Sequence, residues 1–189
     1  MHVVIDAQVV CGYFKESVLE MEPQLTDAAT FIFDRVDSED RVYLDEDGQI
    51  EQEWRQPVDP EWFDPWFAGL LKNGHAVQIP VDTCHELRRR LGRLGFPTRG
   101  RESRDIWYVR TARAIVDLYE NQVQQRRQPV AFIISEDLHF HNPREKGRAK
   151  GDQRTAILLS GNGPVARYLL RNERICVNCV ATYREIAET

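Results

Sequence analysis

Cysteine is scarce. Four in 189 residues are too few for a disulfide framework and fit a reduced, cytoplasmic setting. Long apolar runs are missing too. Val130 to Ile134 and Ile157 to Leu159 are among the longest, and neither can span a bilayer. Asp6 interrupts the first apolar stretch, so no secretory signal is visible. There is no internal repeat, no low-complexity tract and no glycine loop of the P-loop or dinucleotide-binding type. Nor is there a second C-x-x-C pair. Cys176-Val177-Asn178-Cys179 stands alone, without the four ligands of a closed zinc site, and reads as cysteines of a late strand.

What is present is the composition of an ordinary globular domain, with 42% hydrophobic and 29% charged residues. The length predicts one domain over residues 1–189, with the Trp- and Pro-rich stretch 56–80 as the candidate insertion. The net charge of −5 hides a split. Met1 to Glu86 holds 19 acids and 5 bases, whereas Leu87 to Thr189 holds 11 acids and 20 bases. A basic second half points to a polyanionic partner. The acidic first half is either a collection of carboxylates around cations or a solvated surface.

Short β-branched runs alternate with helical patterns. Val3 to Ile5, Arg41 to Leu44, Val130 to Ile134 and Ile175 to Val177 read as buried strands. Helices are expected over Ala7 to Glu20, after caps at Thr26 and Asp27, from Gln49, over Cys84 to Leu94, and from Ser103 through Val123. Further helices follow around Gln153 to Ser160, Gly163 to Asn172 and Thr182 to Glu188. Pro57, Pro60 and Pro65 predict broken helical pieces around Trp62 to Lys72. Leu138 to Gly151 reads as a polar, mobile loop. The alternation predicts an α/β fold, with a mostly parallel central sheet and helices on both faces.

In a parallel sheet all strands end on one side, and sites form outside their carboxyl ends. Asp6 follows the first strand and Asp137 follows Val130 to Ile134. If those strands are neighbours, two carboxylates meet and each raises the other's pKa. A hard divalent cation with oxygen ligands removes that cost. Ser135, two residues before Asp137, is placed to orient either a carboxylate or a metal-bound water. The alternatives are a helix cap for Asp6 and a simple loop acid for Asp137.

These residues carry a family resemblance. Val4-Ile5-Asp6-Ala7-Gln8-Val9-Val10 resembles the first motif of PIN-domain nucleases, with Gln8 where Asn is frequent. Ile133-Ile134-Ser135-Glu136-Asp137-Leu138-His139-Phe140 resembles their late motif, and Asp105 with the helix after it resembles their penultimate one. Val42 to Asp45 followed by Gly48 to Trp54 resembles a strand, turn and helix of some bacterial PIN-like proteins. The stretch Trp54 to Trp66 has no counterpart. The resemblance implies a three-layer α/β/α sandwich and a four-carboxylate pocket of Asp6, Glu53, Asp105 and Asp137. It also implies Mg²⁺ or Mn²⁺ and hydrolysis of phosphodiesters, usually in RNA. A toxin with an antitoxin or other protein partner, a defence component and an RNA-processing enzyme are all compatible with it. So are an inactive RNA-binding or scaffold module and a structure-specific DNA nuclease.

Two assignments stay open at this point. Glu51 and Glu53 flank the Ile50 and Trp54 face almost symmetrically, and only the resemblance favours Glu53. Asp105 is also explained by the dipole of the helix it opens. Substrate would be held by arginine-rich clusters, because a carboxylate pocket repels phosphate and the guanidinium fork binds two of its oxygens. The candidates are Arg99, Arg101 and Arg104 in one cluster and Arg144, Lys146, Arg148 and Lys150 in the other. The alternative is a basic face that answers the acidic half within the chain or across a homodimer. Trp107 or Tyr108 is expected in the core, and Trp62 and Trp66 are left open as a partner surface. His139 and His141 follow Asp137 and are within reach of a metal there, but in a polar loop they are expected at the surface.

Overall fold

The computed structural model describes residues 1–120 and 128–189, with the side chains of Arg101 and Glu102 excepted. Five strands form one sheet: β1 (His2–Ile5), β2 (Arg41–Asp45), β3 (Ala76–Ile79), β4 (Ala131–Ile134) and β5 (Ile175–Asn178). Their order is β3-β2-β1-β4-β5, and all neighbours are parallel. Such strands are buried on both faces, which is why Val3, Val4, Ile5 and Val130 to Ile134 read as continuous apolar runs. From β1 the chain winds outward to β2 and β3, then crosses back to β4 and β5. Right-handed crossovers in opposite directions put their helices on opposite faces, an arrangement consistent with a three-layer α/β/α sandwich.

The helices are α1 (Ala7–Ser17), α2 (Thr30–Ser38), α3 (Gln49–Arg55), α4 (Pro60–Lys72), α5 (His85–Arg93) and α6 (Ile106–Tyr119). They continue as α7 (Leu138–His141), α8 (Gly151–Ser160), α9 (Pro164–Glu173) and α10 (Val180–Ala187). The expected run of α6 to Val123 ends in residues outside the described ones. Helix α6 lies across β1, β2, β4 and β5, and α9 packs on β5. No helix among the described residues is long and apolar enough to cross a membrane.

Two expectations need correction, and one strand has no counterpart in the sequence pattern. The pieces around Trp62 to Lys72 form one continuous helix with Pro65 inside it. Pro65 and Glu61, whose carbonyl loses its partner, are both exposed, so water can replace the bond. Phe63, Phe67 and Leu70 anchor the other face, and that packing outweighs a local cost of about 3 kcal/mol. Strand β3 went unread because four residues with Gln78 exposed carry little pattern. The polar stretch after Asp137 is loop only in its last part, Lys146 to Lys150. It forms α7 with Leu138, His139, Phe140 and His141 all buried, then a 3-10 turn over Pro143–Glu145.

Two side chains fix the carboxyl-end edge of the sheet at β1 and β2. Asp45, fully buried, accepts from the backbone N–H groups of Gln49 and Ile50 at 2.8 Å each. It thereby caps α3. The Trp54 indole Nε1 donates to the carbonyl of Ile5 at 2.8 Å, which ties α3 to the end of β1. Trp62 and Trp66 stack at 4.8 Å and pack on Tyr13, with Phe14 against Trp62. They cement α4 to α1. Cys176 lies in β5 and Cys179 at the start of α10, both as free thiols.

Candidate metal centre

Strands β1 and β4 are neighbours, with Ile5 opposite Ile134. They stand where the sheet connections diverge, the point at which open α/β sheets leave a crevice. Asp6 and Asp137 emerge there. Each caps a helix with one oxygen. Asp6 Oδ1 accepts from Gln8 N at 3.4 Å, and Asp137 Oδ1 accepts from His139 N at 2.8 Å. The cap explanation and the site explanation therefore describe one geometry, because capping leaves the second oxygen of each carboxylate for other work.

Ser135 joins the two. Its hydroxyl donates to Asp6 Oδ2 at 2.5 Å and accepts from Asp137 N at 2.9 Å. The Ser135 backbone is held in turn, since its N–H donates to Asn178 O at 2.9 Å and its carbonyl accepts from His141 Nε2 at 3.1 Å. A carbonyl only accepts, so the His141 proton sits on Nε2. Burial lowers the His141 pKa. That histidine is fully buried and supports the site from below, contrary to its expected surface position.

Asp105 ends a 3-10 turn over Arg101–Asp105 and opens α6. It makes no capping bond. Its Oδ2 lies 2.7 Å from Nδ1 of His139. His139 is likewise buried rather than at the surface, at 5% exposure. Lys146 Nζ donates to Asp137 Oδ2 at 2.7 Å and approaches His139 Nδ1 at 3.0 Å. Lys146, expected on phosphate, is thus engaged with a site carboxylate.

Taken out of water and set close together, these carboxylates cost more charged than they would in solvent. Burial is the main cause that pushes the Asp6 carboxyl up to about 7, and the charges of Asp137 and Asp105 add to it. The Ser135 hydrogen bond works the other way. Burial also raises Asp105, with Asp137 adding and the His139 contact opposing. Donor atoms of Asp105, Asp137 and His139 all lie within 4.8 Å of one another. A cation held at about 2.0–2.2 Å from each donor needs separations of up to about 4.3 Å, close to the spacing of this group. The donors fit a divalent metal, with Asp6 beside them.

Glu53 does not join that group. It pairs with Arg104 at 3.1 Å, whereas Glu51 turns to Arg55 at 3.1 Å. Glu53 shares a cavity wall with Ala7 and Gln8, and Glu51 does not. The α3 register, fixed by Trp54, thus puts Glu53 on the side of the strand ends. Tyr108 lies buried under this edge, its hydroxyl accepting from Ala7 N at 3.3 Å. Burial, with the negative charges of Asp6, Glu53 and Asp105, raises its pKa well above the usual phenol value.

The two basic clusters adjoin. A Cβ on Gly95 would sit 3.5 Å from Pro143 Cβ and 3.7 Å from Arg144 Cγ. The loop that carries Arg99 therefore rests on the turn that carries Arg144. Arg99, Arg144, Arg148 and Lys150 are exposed. Arg104 is committed to Glu53, and the Arg101 side chain lies outside the described residues. Tyr108 is in the core as expected, and the half-buried Trp107 carries the Arg110 guanidinium over its ring at 4.8 Å.

Sequence reasoning missed two residues. His139 follows Asp137 by two positions, so it shares that residue's cap turn, and this spacing was its only signal. Glu136 is fully buried and accepts from the Thr26 hydroxyl at 2.6 Å and Val180 N at 3.1 Å. It locks the end of β4 to the start of α10. Thr26, expected as a cap of α2, serves Glu136 instead, and Glu16 accepts from the first α2 amides, Ala29 N and Thr30 N, at 3.0 Å. The functional reading rests on this geometry, for comparison of the chain with protein-family models, with curated proteins and with solved structures finds no match.

Proposed function

We propose that the protein is a metal-dependent, PIN-like endonuclease that hydrolyses single-stranded RNA. The observation that carries this reading is the convergence of Asp6, Asp105, Asp137 and His139 at the ends of two adjacent parallel strands. The order of Asp6, Glu53, Asp105 and Asp137 along the chain matches the family resemblance. Mg²⁺ or Mn²⁺ held by Asp105, Asp137 and His139 would polarise the phosphate and acidify a water. An imidazole in the donor set tilts the preference from Mg²⁺ toward Mn²⁺.

The chain's own groups have separable roles. Ser135 fixes the rotamer of Asp6 and the backbone of Asp137. The Asp6 carboxylate is the group that takes a proton from water as the new oxygen–phosphorus bond forms. The bond from phosphorus to the departing ribose oxygen breaks, and that oxygen is protonated from solvent. Glu53 orients the water, with Arg104 holding Glu53 in place. The exposed cations Arg99, Arg144, Arg148 and Lys150 draw the strand in, so binding weakens as salt rises.

Cleavage of a labelled single-stranded RNA with Mn²⁺, with and without EDTA, tests this. Wild-type protein cleaves only with the metal, and Asp6→Asn abolishes cleavage. Parallel single-stranded and flapped DNA substrates distinguish a DNA nuclease. One observation favours a second reading. The Lys146 ammonium already pairs with Asp137, as it would in an RNA-binding module without catalysis. That reading gains if Mn²⁺ leaves the melting temperature unchanged.

A further inference from the structure

A cavity of about 580 Å³ opens beside the acid centre, lined in part by Gln8, Lys15, Gln24, Leu25, Gln56 and Arg154. Glu53 forms part of the same wall. A second hollow of about 190 Å³ lies over Asp137 and Lys146. Gln8 and Arg154 line both, so the two spaces meet across this pair. Arg154 is fixed at the divide, since its Nη2 donates to the Glu136 carbonyl at 2.5 Å.

We propose that the larger cavity seats one unpaired nucleotide of the substrate strand, next to the phosphate that lies over Asp137. The inference rests on the nuclease reading of the neighbouring centre and adds a base-reading subsite to it. Its chemistry suits a nucleotide in three ways. Gln8, Gln24 and Gln56 all line this one space, and a carboxamide is both a donor and an acceptor, which is what the Watson–Crick edge of an exposed base requires. Leu25 and Pro57 give an apolar wall for its ring face. Lys15 and Arg154 bring positive charge for the phosphate, while Glu53 repels it and so sets which end faces the metal. Lys15 Nζ donates to Gln24 Oε1 at 3.2 Å, so the cation and one amide are already braced together.

Gly12 makes the room. A Cβ there would come within 2.7 Å of Leu25 Cδ1, so Leu25 lies flat against α1 only because position 12 has no side chain. The volume falls in the roughly 300–1,000 Å³ range of small-ligand sites. A paired, stacked base cannot enter without leaving its helix, which ties the subsite to single strands.

The test uses the full chain and two readouts. In EDTA, AMP, GMP, CMP and UMP are titrated separately while the side-chain amide signals of Gln8, Gln24 and Gln56 are followed by NMR. At least one nucleotide is expected to shift all three, and Gln24→Ala or Lys15→Ala weakens that nucleotide about tenfold, the loss of one or two hydrogen bonds. Gly12→Ala, which drives Leu25 into the space, weakens it too. With Mn²⁺, RNAs that differ at a single position are cleaved at different rates, and Gln24→Ala raises KM for the preferred RNA and flattens the preference. Amide shifts in EDTA without Mn²⁺-dependent cleavage support the subsite and sink the nuclease reading. Cleavage with no amide shift from any of the four nucleotides overturns the subsite, as does a base preference untouched by Gln24→Ala.

Discussion

Replacing Asp6 by Asn should stabilise the metal-free protein at neutral and alkaline pH. Asp6 is buried, and its carboxyl is pushed from 3.8 in an ordinary setting up to about 7 by burial and by Asp137 and Asp105. An acid raised on folding binds more protons folded than unfolded between those values. Stability therefore falls as pH rises from about 4 to about 7, and the full cost is present above that window. The gap corresponds to about 4 kcal/mol. Asn avoids this charge. It keeps an oxygen for the Ser135 hydroxyl but turns an amide toward Gln8 N, a loss of about 1 kcal/mol. The net expectation is a gain of about 3 kcal/mol at pH 8 that shrinks to about zero at pH 4.5, where the ionisation cost and the lost contact are each about 1 kcal/mol. Urea melts of both proteins in EDTA across that range measure it. The difference between the two proteins isolates Asp6 from His141, whose lowered pKa weakens the fold on the acid side in both. Saturating Mn²⁺ should then stabilise wild type more than Asp6→Asn and narrow the gap. A difference that stays constant from pH 4.5 to 8, or an Asn variant less stable at pH 8, refutes the reasoning.

Three further outcomes follow from named contacts. Mn²⁺ should raise the melting temperature of wild type more than Mg²⁺ at equal concentration, and His139→Ala should erase that preference, read by thermal shift. Gly163→Ala should destabilise by about 1–3 kcal/mol, because a Cβ there would lie 2.0 Å from the His141 carbonyl oxygen, in backbone that cannot swing aside. Urea melts check this, and an unchanged midpoint counts against the tight seat of α9 on α7. Asp45→Asn should cost about 2 kcal/mol. It replaces one of two carboxylate oxygens that accept from Gln49 and Ile50, and the loss should appear in amide exchange over α3.

The sequence carried the sheet well where burial was complete. β1 and β4 are apolar at every internal position, and their following aspartates stood out against that background. The meeting of Asp6 and Asp137 followed from topology once the strands were parallel neighbours. What stayed hidden depends on tertiary packing. β3 is an edge strand with only Ala76 and Ile79 buried, so its pattern is diluted. Pro65 argued for a break in α4, but the cost of one lost bond on a wet face is smaller than the packing of Phe63, Phe67 and Trp66. The segment after Asp137 looked like a loop because it is polar, yet His139 and His141 are polar residues buried with partners, and partners are invisible in a sequence. The helical pattern treats Glu51 and Glu53 alike, because the Trp54 bond to Ile5 that sets the α3 register is a tertiary contact.

The central claim is that Asp105, Asp137 and His139 hold a divalent ion beside Asp6. Anomalous diffraction from a crystal soaked in Mn²⁺ tests it most directly. One strong peak bounded by those three side chains is expected, with Lys146 swung off Asp137. No peak there at saturating Mn²⁺, with Lys146 still on Asp137, would contradict it.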